Sequence, residues 1–72
     1  MKIKIEVKPN EKDKRAIEAF TQYFKLFQED RLLVLWEAVK KCNFRNHIMG
    51  KGGHHIWLAR KDTNERIAII TD

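Results

Sequence analysis

The sequence predicts a small α+β domain in which two helices pack on one face of a small antiparallel sheet, in the order β-α-α-(β)-β-β. Charged and apolar residues alternate near the N-terminus, as in a half-buried strand. A stripe of apolar residues at spacings of three and four follows, as in a helix. Two β-rich runs then flank the polar stretch K-D-T-N-E, as in a hairpin. The 72 residues are expected to form a single domain, residues 1–72, with a thin core.

The first predicted strand covers residues 2–8, which read K-I-K-I-E-V-K. Ile3, Ile5 and Val7 alternate with charged residues, so one face of the strand is buried and the other is solvated. The lysines suit an edge position, where charge discourages the addition of a further strand. Pro9 ends the strand because proline has no N–H group for the hydrogen-bond ladder.

The first predicted helix runs from about Glu11 to about Gln28. Asn10 is a suitable N-cap, and the acidic residues of the first turn are favoured by the helix dipole. The apolar stripe is expected to face the core and contains Ile17, Phe20, Phe24 and Phe27.

A second helical segment covers about Asp30 to Cys42, and no glycine or proline separates it from the first. Either Glu29 and Asp30 mark a bend, or residues 11–42 form one long helix. A domain of this size cannot easily bury so long a rod, so two helices are expected. Cys42 is expected to be a small buried apolar residue, and Asn43 is a candidate C-cap.

The rest of the chain predicts strands and turns. A short strand is expected at Phe44–Met49, followed by a glycine-rich loop. The segments His55–Arg60 and Arg66–Thr71 are expected to form the hairpin, because a five-residue polar connection joins them.

Both faces of this hairpin are apolar in the sequence. Ile56 and Leu58 point to one face, and Trp57 and Ala59 point to the other. One face meets the helices. The second face, which is expected to carry Trp57 and Ile70, is either covered by other residues or exposed as an interface.

Composition limits the classes of function. The formal net charge is +5, which is compatible with a nucleic acid or an acidic partner. No apolar run approaches the roughly 20 residues of a membrane helix, and the alternating N-terminus does not resemble a signal peptide. A single cysteine fits a reducing compartment, so a cytoplasmic location is expected. The domain is too small to enclose a large cofactor, and no cofactor is expected.

Glycines and histidines crowd into the stretch G-K-G-G-H-H, residues 50–55. Glycine allows unusual backbone angles and close approach of a ligand, and a nearby lysine adds positive charge, as in a generic phosphate site. The residues predicted to contact phosphate are Lys51, Gly52, Gly53, Arg60 and Lys61. His54 and His55 are expected on one strand and therefore on opposite faces, which makes them poor ligands for one metal ion. No metal site is expected, since zinc sites use three or four protein ligands.

A histidine beside a basic group can act as general acid or base in RNA cleavage. Its unperturbed pKa of about 6.5 suits both roles near neutral pH. The RNA 2′-hydroxyl is the nucleophile, so the protein needs none. Lys51 or Arg60 would stabilise the charge of the transition state.

The run L-W-E-A-V-K-K-C-N-F-R-N-H-I-M-G-K-G-G-H-H-I-W-L resembles part of the HicA-type toxins. These are small mRNA-cleaving proteins of toxin–antitoxin pairs, with a fold like that of double-stranded-RNA-binding domains. The resemblance covers about residues 30–70 and includes the family's K-G-S-H-H pattern, with Gly53 in place of the serine. It implies that His54 is the catalytic residue.

Three classes of function are compatible with these patterns. The first is RNA or other nucleic-acid binding, with or without cleavage at His54. The second is a small regulatory or inhibitor protein of a phage or other mobile element, which binds a protein partner through the second hairpin face. The third is a homodimer in which that face pairs with itself. Substitution of His54 would affect only a catalytic protein, whereas substitution of Trp57 would affect a binding protein.

Overall fold

The computed structural model of the chain describes residues 2–27, 32–41 and 44–71, which form two helices and one four-stranded antiparallel sheet. The predicted α+β class is confirmed. The strands lie in the order β1-β4-β3-β2. The elements in chain order are β1 (Lys2–Ile5), α1 (Glu11–Phe27), α2 (Leu32–Val39), β2 (His47–Lys51), β3 (His55–Arg60) and β4 (Arg66–Thr71).

Strand β1 lies at one edge of the sheet, as its lysines predict. It pairs antiparallel with β4, with Lys2 opposite Thr71. The strand is shorter than predicted and ends at Ile5, although Glu6 still donates its backbone N–H to the carbonyl of Ile67 at 2.9 Å. Alternation therefore predicted the strand correctly, but not its last residues.

Helix α1 begins with a capping box, in which two residues satisfy each other's free backbone N–H groups. Asn10 accepts a hydrogen bond from the backbone N–H of Asp13 at 2.8 Å, and Asp13 accepts one from the backbone N–H of Asn10 at 3.1 Å. The next turns bury Ala16 and Phe20. The side chains of the predicted stripe beyond these turns lie outside the described residues.

Helix α2 buries Leu32, Leu35 and Val39 against the sheet and α1. The prediction of two helices is confirmed, while the proposed bend at Glu29 and Asp30 lies outside the described residues, as do Cys42 and Asn43. Neither of the two described helices is both long and apolar enough to cross a membrane.

Strand β2 is displaced from its predicted position. It covers His47–Lys51 and not Phe44–Met49, so Gly50 belongs to a strand and not to the loop. Gly50 lies opposite Trp57, and a Cβ atom at Gly50 would come within 2.0 Å of the Trp57 ring. A glycine is found inside a strand where a neighbouring side chain approaches the backbone this closely.

The core lies between the two helices and one face of the sheet, here called the inner face. The prediction that Ile70 belongs to the opposite face is wrong. Ile70 pairs with Ile56, and both side chains are fully buried in the core. Ile69 instead lies opposite Trp57, on the face that the described helices do not cover, here called the outer face.

A register shift between Leu58 and Ala59 explains the packing at the start of β4. Ala68 pairs with Leu58, whereas Arg66 pairs with Ala59, so Ile67 is an extra residue on the bulged strand. Because a bulge breaks the strict alternation of side chains, Ile67 and Ala68 are both fully buried.

Candidate functional site

The glycine–histidine segment forms the turn between β2 and β3. The backbone N–H of Gly52 donates to the carbonyl of His55 at 2.8 Å and closes this turn. Strand β3 begins at His55, so His54 lies in the turn and is exposed, and the prediction that both histidines lie on the strand is wrong.

Two glycines of this segment, Gly50 and Gly52, allow close packing of a side chain on the backbone and do not adopt unusual backbone angles. No described glycine has a positive φ. A Cβ atom at Gly52 would come within 2.3 Å of the His55 ring, whereas one at Gly53 would meet no atom within 4 Å. The His55 ring therefore lies over the backbone of Gly52, and Gly53 has open space beside it.

The five residues predicted to contact phosphate are divided between two ends of the hairpin. Lys51 pairs with Ile56 at one end, and His47 pairs with Arg60 at the other. Four residues of extended strand, at about 3.4 Å each, separate these pairs by roughly 14 Å. Lys51, which donates to the carbonyl of Gly52 at 3.1 Å, lies with the glycines, and Arg60 and Lys61 lie far from them. A single phosphate site cannot include all five.

Arg60 is engaged in a network of ion pairs. Its Nη2 donates to Oδ2 of Asp13 at 2.6 Å, and its Nε lies 3.2 and 3.3 Å from the two Asp13 oxygens. Its Nη1 donates to Glu65. Arg60, one of the residues predicted to contact phosphate, therefore contacts two carboxylates.

His47 completes this network from the first residue of β2. Its Nε2 donates to Oδ1 of Asp13 at 2.8 Å. The exposed fraction of the side chain is 4% for His47 and 1% for Asp13, so this hydrogen bond is buried. Buried polar groups that are fully paired contribute to a single, rigid arrangement.

The network determines the charge of its central carboxylate. Hydrogen bonds from Arg60 hold the pKa of Asp13 well below its usual range, despite the burial that acts in the opposite direction. Hydrogen bonds from His47 and from the backbone of Asn10 act in the same direction as Arg60. The Asp13 carboxylate in turn raises the pKa of Arg60. Asp13 is therefore ionised, and it joins the start of α1 to β2 and β3.

An open cavity of about 370 Å³ lies beside this network. It is bounded by the start of α1, by the segment before β2 and by the turn after β3. Its lining residues are Asn10, Lys12, Asp13, Arg45, Asn46, His47, Arg60, Lys61 and Asp62.

The outer face of the sheet is a second candidate site. Pairing between strands places its side chains in three rows across the sheet, because directly opposed residues share a face. The rows are Lys2–Thr71–His55, then Lys4–Ile69–Trp57–Gly50, and then Arg66–Ala59–Ile48. Within these rows of the described sheet, the charged residues are Lys2, Lys4 and Arg66, and none is acidic.

Trp57 lies at the centre of this outer face. Its ring covers Gly50 and is half-buried. It also lines a shallow, mostly apolar cavity of about 330 Å³ with Ile48, Ala59, Asn64 and Arg66. The outer face therefore combines one aromatic ring, aliphatic side chains and basic residues. The prediction that Trp57 lies on the second face of the hairpin agrees with this geometry.

Sequence reasoning missed Asp13 and His47 as members of a site. The spacing of Asn10 and Asp13 is that of a capping box, which could have been found. The partners of Asp13 lie 34 and 47 residues further along the chain, and no local pattern indicates such contacts. Among the described residues, no group of three His, Cys, Asp or Glu side chains is placed to hold a metal ion.

Comparison of the chain with protein-family models, with curated proteins and with solved structures finds no match. The resemblance to HicA-type toxins therefore stays a prediction. The outer face and the cavity beside Asp13 are the two candidate functional sites of the described structure.

Proposed function

We propose that this protein binds single-stranded RNA on the outer face of its sheet. The observation that carries the proposal is the composition of the three outer rows, in which every charged residue is basic and lies on β1 or β4, to one side of Trp57. Four-stranded sheets that bind RNA use aromatic side chains on an open face to stack unpaired bases. The cytoplasmic location expected from the sequence fits an RNA ligand.

Trp57 supplies the stacking surface. Stacking of a base on an aromatic side chain contributes about 1 to 3 kcal/mol and tolerates any base. His55 lies two residues away on the same strand and therefore on the same face, so a second base has an imidazole beside it. This arrangement favours binding with weak sequence preference.

The electrostatic contribution to RNA binding comes from Lys2, Lys4 and Arg66. All three are exposed, and they lie in three different rows on β1 and β4, on the side of Trp57 away from β2. Three phosphate contacts to a single strand predict a slope of about −2 in a plot of log K against log salt concentration.

A binding assay tests this proposal. A fluorescent single-stranded oligoribonucleotide is titrated with the protein at several salt concentrations, and binding is read by anisotropy. The double variant Lys4→Ala, Arg66→Ala should weaken binding by tenfold or more and reduce the salt slope. Lys14→Ala is the matched control, because Lys14 is an exposed lysine of α1 that pairs with Glu11.

Two results would contradict the proposal. One is equal weakening per removed charge in the double variant and in Lys14→Ala, which indicates attraction by net charge alone. The other is unchanged quenching of tryptophan fluorescence by RNA when Trp57 is replaced with Phe, because Trp36 would then account for the whole signal. Circular dichroism of each variant establishes that it is folded.

Cleavage of the bound RNA by His54 is a separate prediction, based on the resemblance described above. His54 is exposed in the turn next to Gly53, and Lys51 is close in sequence. If His54 is catalytic, His54→Ala abolishes cleavage of the oligoribonucleotide and leaves its affinity within about twofold. If the protein only binds RNA, wild type and variant both leave the RNA intact.

The alternative is a protein partner, or a second copy of this chain, on the same outer face. Its apolar cavity beside Trp57 is the observation that favours it. A protein contact made by this cavity would depend on Trp57 and respond weakly to salt. Steep salt dependence with RNA favours the first proposal.

A further inference from the structure

We propose that the cavity beside Asp13 is a binding site for a phosphate group. This site is distinct from the outer face and does not depend on the function proposed for it. Three features support this site: the charges that line the cavity, the internal neutralisation of Asp13 and the size of the cavity.

The charged residues that line the cavity are mainly cationic. Four Lys or Arg side chains line it, against two Asp side chains. The cations come from three separate parts of the fold, namely Lys12 of α1, Arg45 before β2, and Arg60 with Lys61 at the end of β3. Their convergence requires the folded chain, since these residues are distant in sequence.

The negative charge of Asp13 is already compensated within the wall. Arg60 binds both of its oxygens, and His47 and the backbone of Asn10 donate further hydrogen bonds. Asp13 and Arg60 therefore cancel each other. The remaining charges of the lining are Lys12, Arg45 and Lys61 against Asp62. Glu65, which binds Arg60 from outside the lining, adds one further negative charge, so the cavity keeps a net positive charge.

The network also holds the wall in place. Asp13 fixes Arg60 and His47, while the backbone N–H of Lys61 donates to the carbonyl of Asn46 at 2.9 Å. The segments that carry Arg45 and Lys61 are therefore joined by a backbone hydrogen bond. A site with fixed walls loses little entropy when it binds a ligand.

The cavity is larger than a phosphate ion. Its volume of about 370 Å³ lies within the range of small-molecule sites, so a phosphate group attached to a larger molecule fits. The shared chemistry is a terminal phosphate. It can come from a free mononucleotide or from the end of an RNA chain.

A titration followed by NMR tests the site in the intact protein. Adenosine 5′-monophosphate, inorganic phosphate and adenosine are added to ¹⁵N-labelled protein at constant ionic strength. We expect the two phosphates to shift the amide signals of residues 45–47 and 60–62, and adenosine to leave them unchanged. Arg45→Ala and Lys61→Ala should each weaken binding by about fivefold, and Lys14→Ala should not. Arg45 and Lys61 are exposed, so both variants are expected to fold.

A second comparison distinguishes between the two possible sources of the phosphate group. If the ligand is the end of an RNA chain, an oligoribonucleotide with a 5′-phosphate binds more tightly than one with a 5′-hydroxyl, and Arg45→Ala removes the difference. If the ligand is a free mononucleotide, the two oligonucleotides bind equally, and the monophosphate still shifts residues 45–47.

Equal shifts with adenosine and its monophosphate overturn the proposal, as does equal loss of affinity in Lys14→Ala and Arg45→Ala. Failure of this site is distinct from failure of the outer face. The variant Lys4→Ala, Arg66→Ala leaves the phosphate titration unchanged, and Arg45→Ala leaves the binding of 5′-hydroxyl RNA unchanged.

Discussion

Replacing Asp13 with Asn is expected to destabilise the fold by about 3 kcal/mol. The substitution keeps the shape of the side chain but removes its charge and one acceptor oxygen. Arg60 and His47 then lose their shared partner, and an NH₂ group faces donors that it cannot satisfy.

The magnitude follows from the burial of the pair. Breaking a buried ion pair by removal of one partner costs about 3 to 5 kcal/mol. The lower end applies because the side chain of Arg60 is 25% exposed and keeps its contact with Glu65. A chain of 72 residues has a total stability of roughly 4 to 11 kcal/mol, so the loss is a large fraction of it.

Urea unfolding followed by tryptophan fluorescence measures the effect, and thermal unfolding gives a second estimate. A loss of this size lowers Tm by roughly 12 to 24 °C in so small a domain. Glu11→Gln is the matched control. It removes a carboxylate from the same helical turn, but the Glu11 side chain is 85% exposed and pairs only at the surface with Lys14, so about 0.5 kcal/mol or less is expected.

The pH dependence provides an independent test of the same carboxylate. The pKa of Asp13 is lower in the folded than in the unfolded protein, so its ionised form stabilises the fold at any pH above the unfolded value of about 3.9. This contribution is lost as the pH falls further, through the folded pKa. The difference in stability between wild type and Asp13→Asn should therefore shrink as the pH falls below 4. A difference below 1 kcal/mol at pH 7, or one that matches Glu11→Gln, would refute the buried network.

Two further substitutions test the sheet. Gly50→Ala should destabilise by 1 kcal/mol or more in thermal or urea unfolding, because its Cβ would overlap the ring of Trp57, whereas Gly53→Ala should change stability by less than 0.5 kcal/mol. Ile70→Ala should cost about 2 to 5 kcal/mol as a large-to-small change in a full core, and Ile69→Ala on the outer face clearly less. Equal effects of Gly50→Ala and Gly53→Ala would contradict the packing of Trp57 on Gly50. Equal effects of Ile70→Ala and Ile69→Ala would contradict the assignment of Ile70 to the core.

The regular elements with clear periodicity could be predicted from the sequence. Alternation at Ile3 and Ile5 located β1, and helical spacing located the buried residue Phe20 on α1. These patterns are local, because side chains return to the same face every two residues in a strand and every 3.6 residues in a helix.

Which side chains of β4 point into the core could not be predicted in the same way. Ile67–Ile70 is an uninterrupted apolar run, so its sequence does not determine which residues face inward. The orientation of these side chains is determined by the pairing of β4 with β3 and by the extra residue at the bulge, which together place Ile70 in the core. Gly50 was misplaced for a related reason, since glycine usually marks a turn, and only its neighbour Trp57 explains its position in a strand.

The candidate sites show the same limit. The basic and aromatic residues of the outer face are visible in the sequence, but their grouping depends on the pairing of β1 with β4. The partners of Asp13 depend on contacts across most of the chain. Sequence analysis therefore found Trp57 and the charge, but not the network beside the cavity.

The sheet order has a consequence for synthesis of the protein. In the described sheet, β1 is the first strand in the chain and pairs with β4, the last one. Residues 2–5 therefore stay unpaired until residues 66–71, which form their partner strand, have left the ribosome. During that time the two helices and the β2–β3 hairpin can form, but the sheet cannot close over its core. Lys2 and Lys4 give the waiting strand a positive charge, which opposes its pairing with the same strand of another nascent chain.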